Sequence, residues 1–487
     1  MNQKIYKQVL DYSWALLVLL LPITSMPIIV RIAGSNTVGA LSGILLFILL
    51  VFWFIPNLFN GGKISRQFMP LLVFTIAAII STLIASFSPV PLYKEFSSVN
   101  NEISSLITLF IGIAFYLITS TWIKDQSGLS KTLRYLNWGG LVLLVIAGIQ
   151  ALSWYTLGGY PEWLRDFHNI YSVGPLFRQR PTGMSYEPSW LANQLNMLYL
   201  PYWLAATIKG YSSHNWRIRK ISLENLLLFG GVIILTLTLS RVGMIAFFLM
   251  LVYLLGILGM KVFAWGNQIF MRDKPHDPNY GNINRILSLV LISTIFIIVI
   301  AMILFVVGYG LSQVDRRMAQ IFQFSPFQEN AFLKYAENLD FGSRIIYWEA
   351  GWRVFNKFPF IGVGLGNTGF YFPENIPGYG WKLMEVREFI FRLDILPNLK
   401  SIWVRILAEC GITGFILFLS WLYVLWQASR FLVKQRFPLQ ESIGLAGQFT
   451  MIALIAEGFS LDSFAMPYLW ISLGIVTACS SWVLTIE

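Results

Sequence analysis

Again and again this chain runs apolar for about twenty residues, the length that crosses a bilayer as a helix. That pattern leaves few folds open, because in lipid only a ladder of hydrogen bonds inside the segment satisfies the peptide groups. Twelve such stretches stand out in the 487 residues, near 13–33, 38–59, 69–88, 102–122, 135–157, 188–208, 223–239, 242–262, 286–308, 401–427, 442–461 and 464–485. The fourth, sixth and eleventh are interrupted by Ser, Asn, Gln or Gly. Only 12% of the residues are charged, against about a quarter in a soluble domain. The expectation is an all-α polytopic membrane protein of about twelve spans, a single integral domain over 1–487.

Charge placement orients it. With the N-terminus taken as cytoplasmic, the inside segments hold eighteen Lys and Arg, from Lys4 and Lys7 through Lys124, Lys131 and Arg134 to Arg430, Lys434 and Arg436. The short outside loops hold three: Arg31, Lys94 and Arg241. This bias is the positive-inside signature, which discounts long loops, and it puts both termini in the cytoplasm. It also accounts for the net charge of +11 without nucleic acid as a partner. Lys4 and Lys7 before an apolar run resemble a signal peptide, but the run is long and lacks a small-x-small cleavage site, so an uncleaved first span is expected. Cys410 and Cys479 fall inside spans and His168, His214 and His276 are scattered, which gives no metal-ligand spacing or disulfide framework.

Two longer segments then face outside, 158–187 and 309–399. The second carries nine basic and nine acidic residues, an unusual investment for a membrane protein and the natural place to look for chemistry. Each candidate in these segments has a structural and a functional reading. Glu187 precedes Pro188, which suits a first helical turn. It either caps that helix, paired with Arg178 or Arg180, or serves as a general base beside basic phosphate ligands. Arg241, between two spans, either snorkels to headgroups or turns into a cavity to bind phosphate. In the long loop a helix is expected from Arg344 to Lys357, stopped by Pro359. Tyr347 and Trp348 follow Arg344 by three and four residues, giving a face for a sugar and a phosphate, or one that packs the loop on the bundle. Glu349 and Arg353 are spaced as a surface ion pair, which ranks Arg353 behind Arg344 as a ligand. Arg405 and Glu409 are spaced as a pair within a span, and Glu409 and Asp462 are acids in or near the membrane. The glycines Gly362, Gly364 and Gly366 let backbone come close to something, with no nucleotide-binding unit around them.

Four pieces together resemble the bacterial O-antigen polymerase and ligase superfamily of Wzy-type polymerases, WaaL-type ligases and related O-linked oligosaccharyltransferases. They are Arg180-Pro-Thr-Gly183 with Glu187-Pro188 and Leu191-Ala192; Ser240-Arg241; Gly342-Ser-Arg344 with Trp348, Ala350 and Pro359-Phe-Ile-Gly362-Val-Gly364; and Leu407-Ala-Glu409-Cys-Gly411-Ile-Thr-Gly414. The resemblance spans about 180–418, and Arg353 with Gly364 shows the Arg-x10-Gly spacing of polymerase loops. It implies a GT-C-type, inverting glycosyltransferase of the inner membrane that needs no metal or cofactor and works on the extracytoplasmic side. The implied donor is a glycan on polyprenyl (undecaprenyl) diphosphate, with membrane lipid and a chain-length regulator as further partners. Arg241 and Arg344 match the family's diphosphate-binding arginines, with Arg178, Arg180, Arg353 and Lys400 as further candidates. Ligases carry a His-Asn pair where this chain has Lys400-Ser401, and no histidine occurs in 309–399. Polymerase is therefore favoured over ligase. A flippase for lipid-linked glycans is the rival from another class.

Overall fold

A computed structural model describes residues 3–32, 38–270 and 341–486, with scattered positions between 294 and 335. The order is α1 (Gln3–Leu19), α2 (Pro27–Ile32), α3 (Leu41–Leu49), α4 (Ile55–Phe59), α5 (Met69–Ser86), α6 (Ser98–Trp122), α7 (Gln126–Leu157), α8 (Glu162–Tyr171), α9 (Pro188–Gln194) and α10 (Leu200–Lys209). A two-residue hairpin at 217–222 leads to α11 (Leu223–Leu237) and α12 (Arg241–Phe270). Then come α13 (Gly342–Lys357), α14 (Phe372–Asn375), α15 (Met384–Phe391), α16 (Ile402–Val433), α17 (Pro438–Glu457) and α18 (Pro467–Ile486). Among the described residues eight helices are long and apolar enough to cross a membrane, and α11 is a shorter apolar one. The protein is an all-α, multi-pass membrane protein. Two compact units are distinguished by packing: Met1–Ala246 with Ile346–Glu487, and Phe247–Ile345.

Small residues set the spacing in the first unit. Gly112 on α6 lies against the Phe464 carbonyl and the Trp470 ring, and Gly474 on α18 lies against Thr119. Such positions let helix backbones approach where lipid offers no hydrophobic drive for association. Tyr116 and Thr477 seal the same contact with a 2.8 Å hydrogen bond.

The expected first span, 13–33, is corrected. Its helix begins ten residues earlier and stops at Leu19, and a second short helix follows at Pro27. The intervening backbone is satisfied by distant partners. The Pro22 carbonyl accepts from Gln194 Nε2 (3.1 Å), Gly39 N–H donates to the Thr24 carbonyl (2.9 Å), and Val173 N–H donates to the Ser25 carbonyl (3.0 Å). Irregular backbone at membrane depth is tolerated where protein buries it in this way. The fifth span also starts earlier than expected. Asp125 caps it, accepting from Gly128 N–H at 2.7 Å, so Lys131 and Arg134 lie on its first turns. The sixth is three pieces, with a π-helical turn at Leu195–Tyr199 between α9 and α10. The ninth, 286–308, lies outside the described residues.

Residues 346–399 of the long outside loop fold on themselves. Tyr347, Ala350, Val354, Phe370, Phe372, Val386 and Ile390 share one apolar core, joined by Tyr93 from the loop before α6. The helix anticipated at 344–357 is α13, two residues longer at its start.

Candidate functional site

Gln150, buried about two turns before the end of α7, shapes the first outside loop. Its Oε1 accepts from the N–H groups of Thr182 (3.0 Å) and Gly183 (2.8 Å), and its Nε2 donates to the Gly183 carbonyl (2.9 Å). One side chain thus replaces a turn of secondary structure around Arg180-Pro-Thr-Gly183, where Gly183 has φ of +57°. Gln150→Leu removes the partner of three buried backbone groups, at about 1–3 kcal/mol for each one left unsatisfied. The expected result is a clear drop in melting temperature in detergent, measured by fluorescence-detected size exclusion. His168 closes the same loop, with Nε2 2.8 Å from the Gly174 carbonyl. Burial holds its pKa below the ordinary histidine value, against the opposing effect of that carbonyl.

Arg178 and Arg180 part company across Gln179, whose φ is +62°. Arg178 lines an open cleft of about 340 Å³ with Trp154, Tyr160, Arg165 and His168. Arg180 turns inward and donates from Nε to the Thr238 carbonyl at 2.8 Å. Thr238 belongs to the turn before Arg241, so the 180–187 segment is held against that turn. The turn itself is tight. Leu239 has φ of +51°, Ser240 N–H donates to Thr238 Oγ1 (3.2 Å), and Ser240 Oγ accepts from Gly243 N–H (3.3 Å). Arg241 is the first residue of α12 and half-buried.

Glu187 occupies the N-cap position of α9 with Pro188 behind it, but its carboxylate makes no bond to the helix backbone. It accepts instead from the Ser189 hydroxyl. One turn further on, Asn193 and Asn196 reach a second carboxylate that the sequence reading passed over. Asn193 Nδ2 donates to Glu457 Oε2 (3.2 Å) and Asn196 Nδ2 to Glu457 Oε1 (2.8 Å). Asn196 also donates to the Gly243 carbonyl at 2.8 Å, so Glu457, α9 and the start of α12 form one buried cluster. The available signal was the residue type: an acid inside an otherwise apolar span is costly unless it is functional or held by donors.

The residues that follow α17 link to the start of α16. Gly458 O accepts from Ser401 Oγ (3.0 Å) and Ile402 N–H (2.8 Å), and Lys400 N–H donates to Asp462 Oδ2 (3.2 Å). Arg405 donates from Nε to Glu409 at 2.8 Å and from Nη1 to the Asp462 carbonyl at 2.6 Å, so the anticipated pair exists and is buried. Lys400 Nζ lies 5.0 Å from the centre of the Tyr347 ring and 3.8 Å from Glu385.

Tyr347 is 1% exposed. Its ring packs on Phe372 and Phe389, and burial, followed by the Glu385 carboxylate, pushes its hydroxyl up. Trp348 packs against Phe459 at 5.1 Å. The ion pair expected of Arg353 is present, Nη2 to Glu349 at 2.7 Å, and in its exposed setting is worth about 0.3–0.5 kcal/mol. Arg344 belongs to the second unit, where its guanidinium lies 5.8 Å from the Phe341 ring centre.

The glycine run of the long loop meets the span that follows it. Gly411 interrupts α16 with φ of +65° and ψ of −171°. Residues 359–364 supply the hydrogen bonds the break would otherwise lose. Val363 N–H donates to the Ala408 carbonyl (3.0 Å), Gly364 N–H to the Glu409 carbonyl (2.9 Å), and Ile412 N–H to the Pro359 carbonyl (2.8 Å). Ser81 on α5 bridges the two, donating to both Ile361 O and Glu409 O. A Cβ on Gly362 would overlap the Glu409 backbone, and one on Gly411 the Phe360 carbonyl. The close approach foreseen for these glycines is to three helices: Gly362 meets the broken α16, Gly364 meets Thr82 and Ala85 of α5, and Gly366 meets Asn101 and Ser105 of α6.

The structure therefore brings together Arg180, the Arg241 turn, the Glu187 helix, Glu457 and the Lys400-Ser401 start of α16. Residues 226–419, about two-fifths of the chain, match the model of a family described as O-antigen ligase. That stretch contains Arg241, Arg344, Tyr347, Trp348, Arg353 and Lys400, whereas Arg178, Arg180 and Glu187 precede it. No curated protein matches the chain. The matched region runs from α11 into α16, and the family it matches is the one that the chain's motifs resemble.

Proposed function

We propose that this protein is a polysaccharide polymerase, joining a glycan carried on polyprenyl diphosphate to a lipid-linked repeat unit at the extracytoplasmic face. The observation that carries the reading is the family match, which supports activity of the ligase and polymerase type on lipid-linked glycans. The choice of polymerase rests on Lys400-Ser401 standing where ligases carry His-Asn, together with the lack of histidine in 309–399.

On this reading the acceptor's hydroxyl oxygen attacks the anomeric carbon while the bond from that carbon to the diphosphate oxygen breaks. The configuration inverts, the hydroxyl proton passes to Glu187, and polyprenyl diphosphate departs. Glu187 suits the role because its carboxylate makes no bond to the backbone of the helix it precedes. Diphosphate already leaves readily, so the main need is to stabilise the charge that grows on it, which guanidinium groups do well in a site of low dielectric. Arg241 and Arg344 are each assigned to that charge, with Arg178, Arg180 and Arg353 as weaker candidates. Lys400 adds a cation, and Tyr347 beneath it orients that cation. Trp348 offers an apolar face to a sugar ring.

Purified protein supplied with lipid-linked repeats decides the matter. A ladder of products on a gel is the expected result. Transfer to a different acceptor supports a ligase, and translocation across vesicles with no new glycosidic bond supports a flippase. Either outcome ends the polymerase reading.

A further inference from the structure

At the other end of the bundle, a cavity of about 630 Å³ opens among the start of α1, the residue Trp53 before α4, the end of α6 and the start of α7. Its floor is aromatic. Trp14 and Trp122 stack with ring centres 5.7 Å apart, and Trp53 meets Trp122 nearly edge-on at 4.6 Å. Trp14 is fixed by donating from Nε1 to Thr132 Oγ1 at 3.0 Å. The rim carries Lys7, Lys124 and Lys131, all exposed, and two carboxylates, Asp11 and Asp125. Asp125 is already engaged as the cap of α7. Lys131 and Trp154 sit 23 residues apart on α7, about 35 Å along the axis at 1.5 Å per residue. The cavity and the cleft lined by Trp154 and Arg178 thus lie toward opposite membrane faces.

We propose that this cavity holds the headgroup phosphate of an anionic phospholipid from the leaflet that the charge bias assigns to the cytoplasm. Three cations from two stretches of chain gather at one mouth, and Asp11 and Asp125 together offset only part of their charge. Tryptophan belongs at the headgroup level, where its ring meets the glycerol and upper acyl region. Basic pockets between helices on the cytoplasmic side suit phosphate headgroups for these same reasons. Room for the acyl chains lies alongside: Ile5, Val9 and Tyr12 on α1, Phe52 in the turn before α4 and Ile55 on α4 expose apolar surface. The volume is that of a small-molecule site, which spans roughly 300–1,000 Å³.

Native mass spectrometry of the full-length protein, delipidated and then titrated with phosphatidylglycerol or phosphatidylcholine, tests this without reference to activity. Wild-type protein is expected to retain phosphatidylglycerol over phosphatidylcholine. The triple variant Lys7→Gln, Lys124→Gln, Lys131→Gln, which alters only exposed side chains, is expected to lose about 10- to 100-fold of that affinity. Asp11→Asn, which removes the opposing charge, is expected to tighten it. Equal retention of the two lipids by wild type overturns the proposal, as does a triple variant that binds as wild type does. Displacement of the lipid by inorganic phosphate at millimolar concentration also overturns it, by showing a site for the free ion.

Discussion

Replacing Arg241 by alanine is expected to lower polymer formation about 100- to 1,000-fold, the loss typical when one fixed stabiliser of transition-state charge is removed. Arg344→Ala is expected to do the same, and each is tested separately. Both variants should still reach the membrane. The turn that sets Arg241 at the head of α12 is held by the hydroxyls of Thr238 and Ser240, and those hydrogen bonds do not involve the guanidinium. Product length on gels, normalised to protein in the membrane fraction, gives the measurement. Lysine at either position should recover only part of the activity, because it keeps the charge and loses the flat, two-pronged donor. Normal yield and length from either alanine variant removes that arginine from the mechanism.

The second large effect is structural. Gly411 has φ of +65° and ψ of −171°, a combination open in practice only to glycine, and forcing another residue into it costs about 1–3 kcal/mol. An added methyl group also overlaps the Phe360 carbonyl, which is fixed backbone rather than a movable side chain. Gly411→Ala is therefore expected to lower the folded yield and melting temperature sharply in fluorescence-detected size exclusion. Gly148→Ala is the control, since a Cβ at that helical site meets nothing within 4 Å, and alanine gains about 1 kcal/mol of helix propensity there. Equal losses from both substitutions would show that the break at Gly411 has no special role.

Local signals in the sequence were enough for the helices and for contacts inside them. The apolar runs mark the spans because their length matches a bilayer. Pro188 starts a helix, and Glu349–Arg353 and Arg405–Glu409 pair because four residues bring them to one face. What periodicity could not convey was partnership across the chain. The run 13–33 reads as one span, yet it breaks after Leu19 because Gln194, Gly39 and Val173 supply hydrogen bonds to residues 22–25 from far away. Gln150 and Glu457 sit in apolar surroundings with no local motif, so their roles emerge only when Gly183 and Asn196 arrive beside them. The glycines at 362–366 showed that something came close, and α16, α5 and α6 turned out to be the neighbours. Tyr347, placed by spacing on the face of Arg344, is buried in the loop's own core, since helical spacing says which residues are adjacent and not which side faces water.

The splice between residues 359–364 and the interruption at Gly411 bears on how this protein can vary. Surface segments ordinarily accept extra residues, but here the main chain is indexed at both ends, by Pro359 to Ile412 and by Gly364 to Glu409. A single inserted residue between Val363 and Gly366 would slip that alignment and thrust side chains into Thr82 and Asn101. Length changes among related chains should accordingly fall elsewhere in the outside region, and residues 359–364 should behave as part of the transmembrane scaffold.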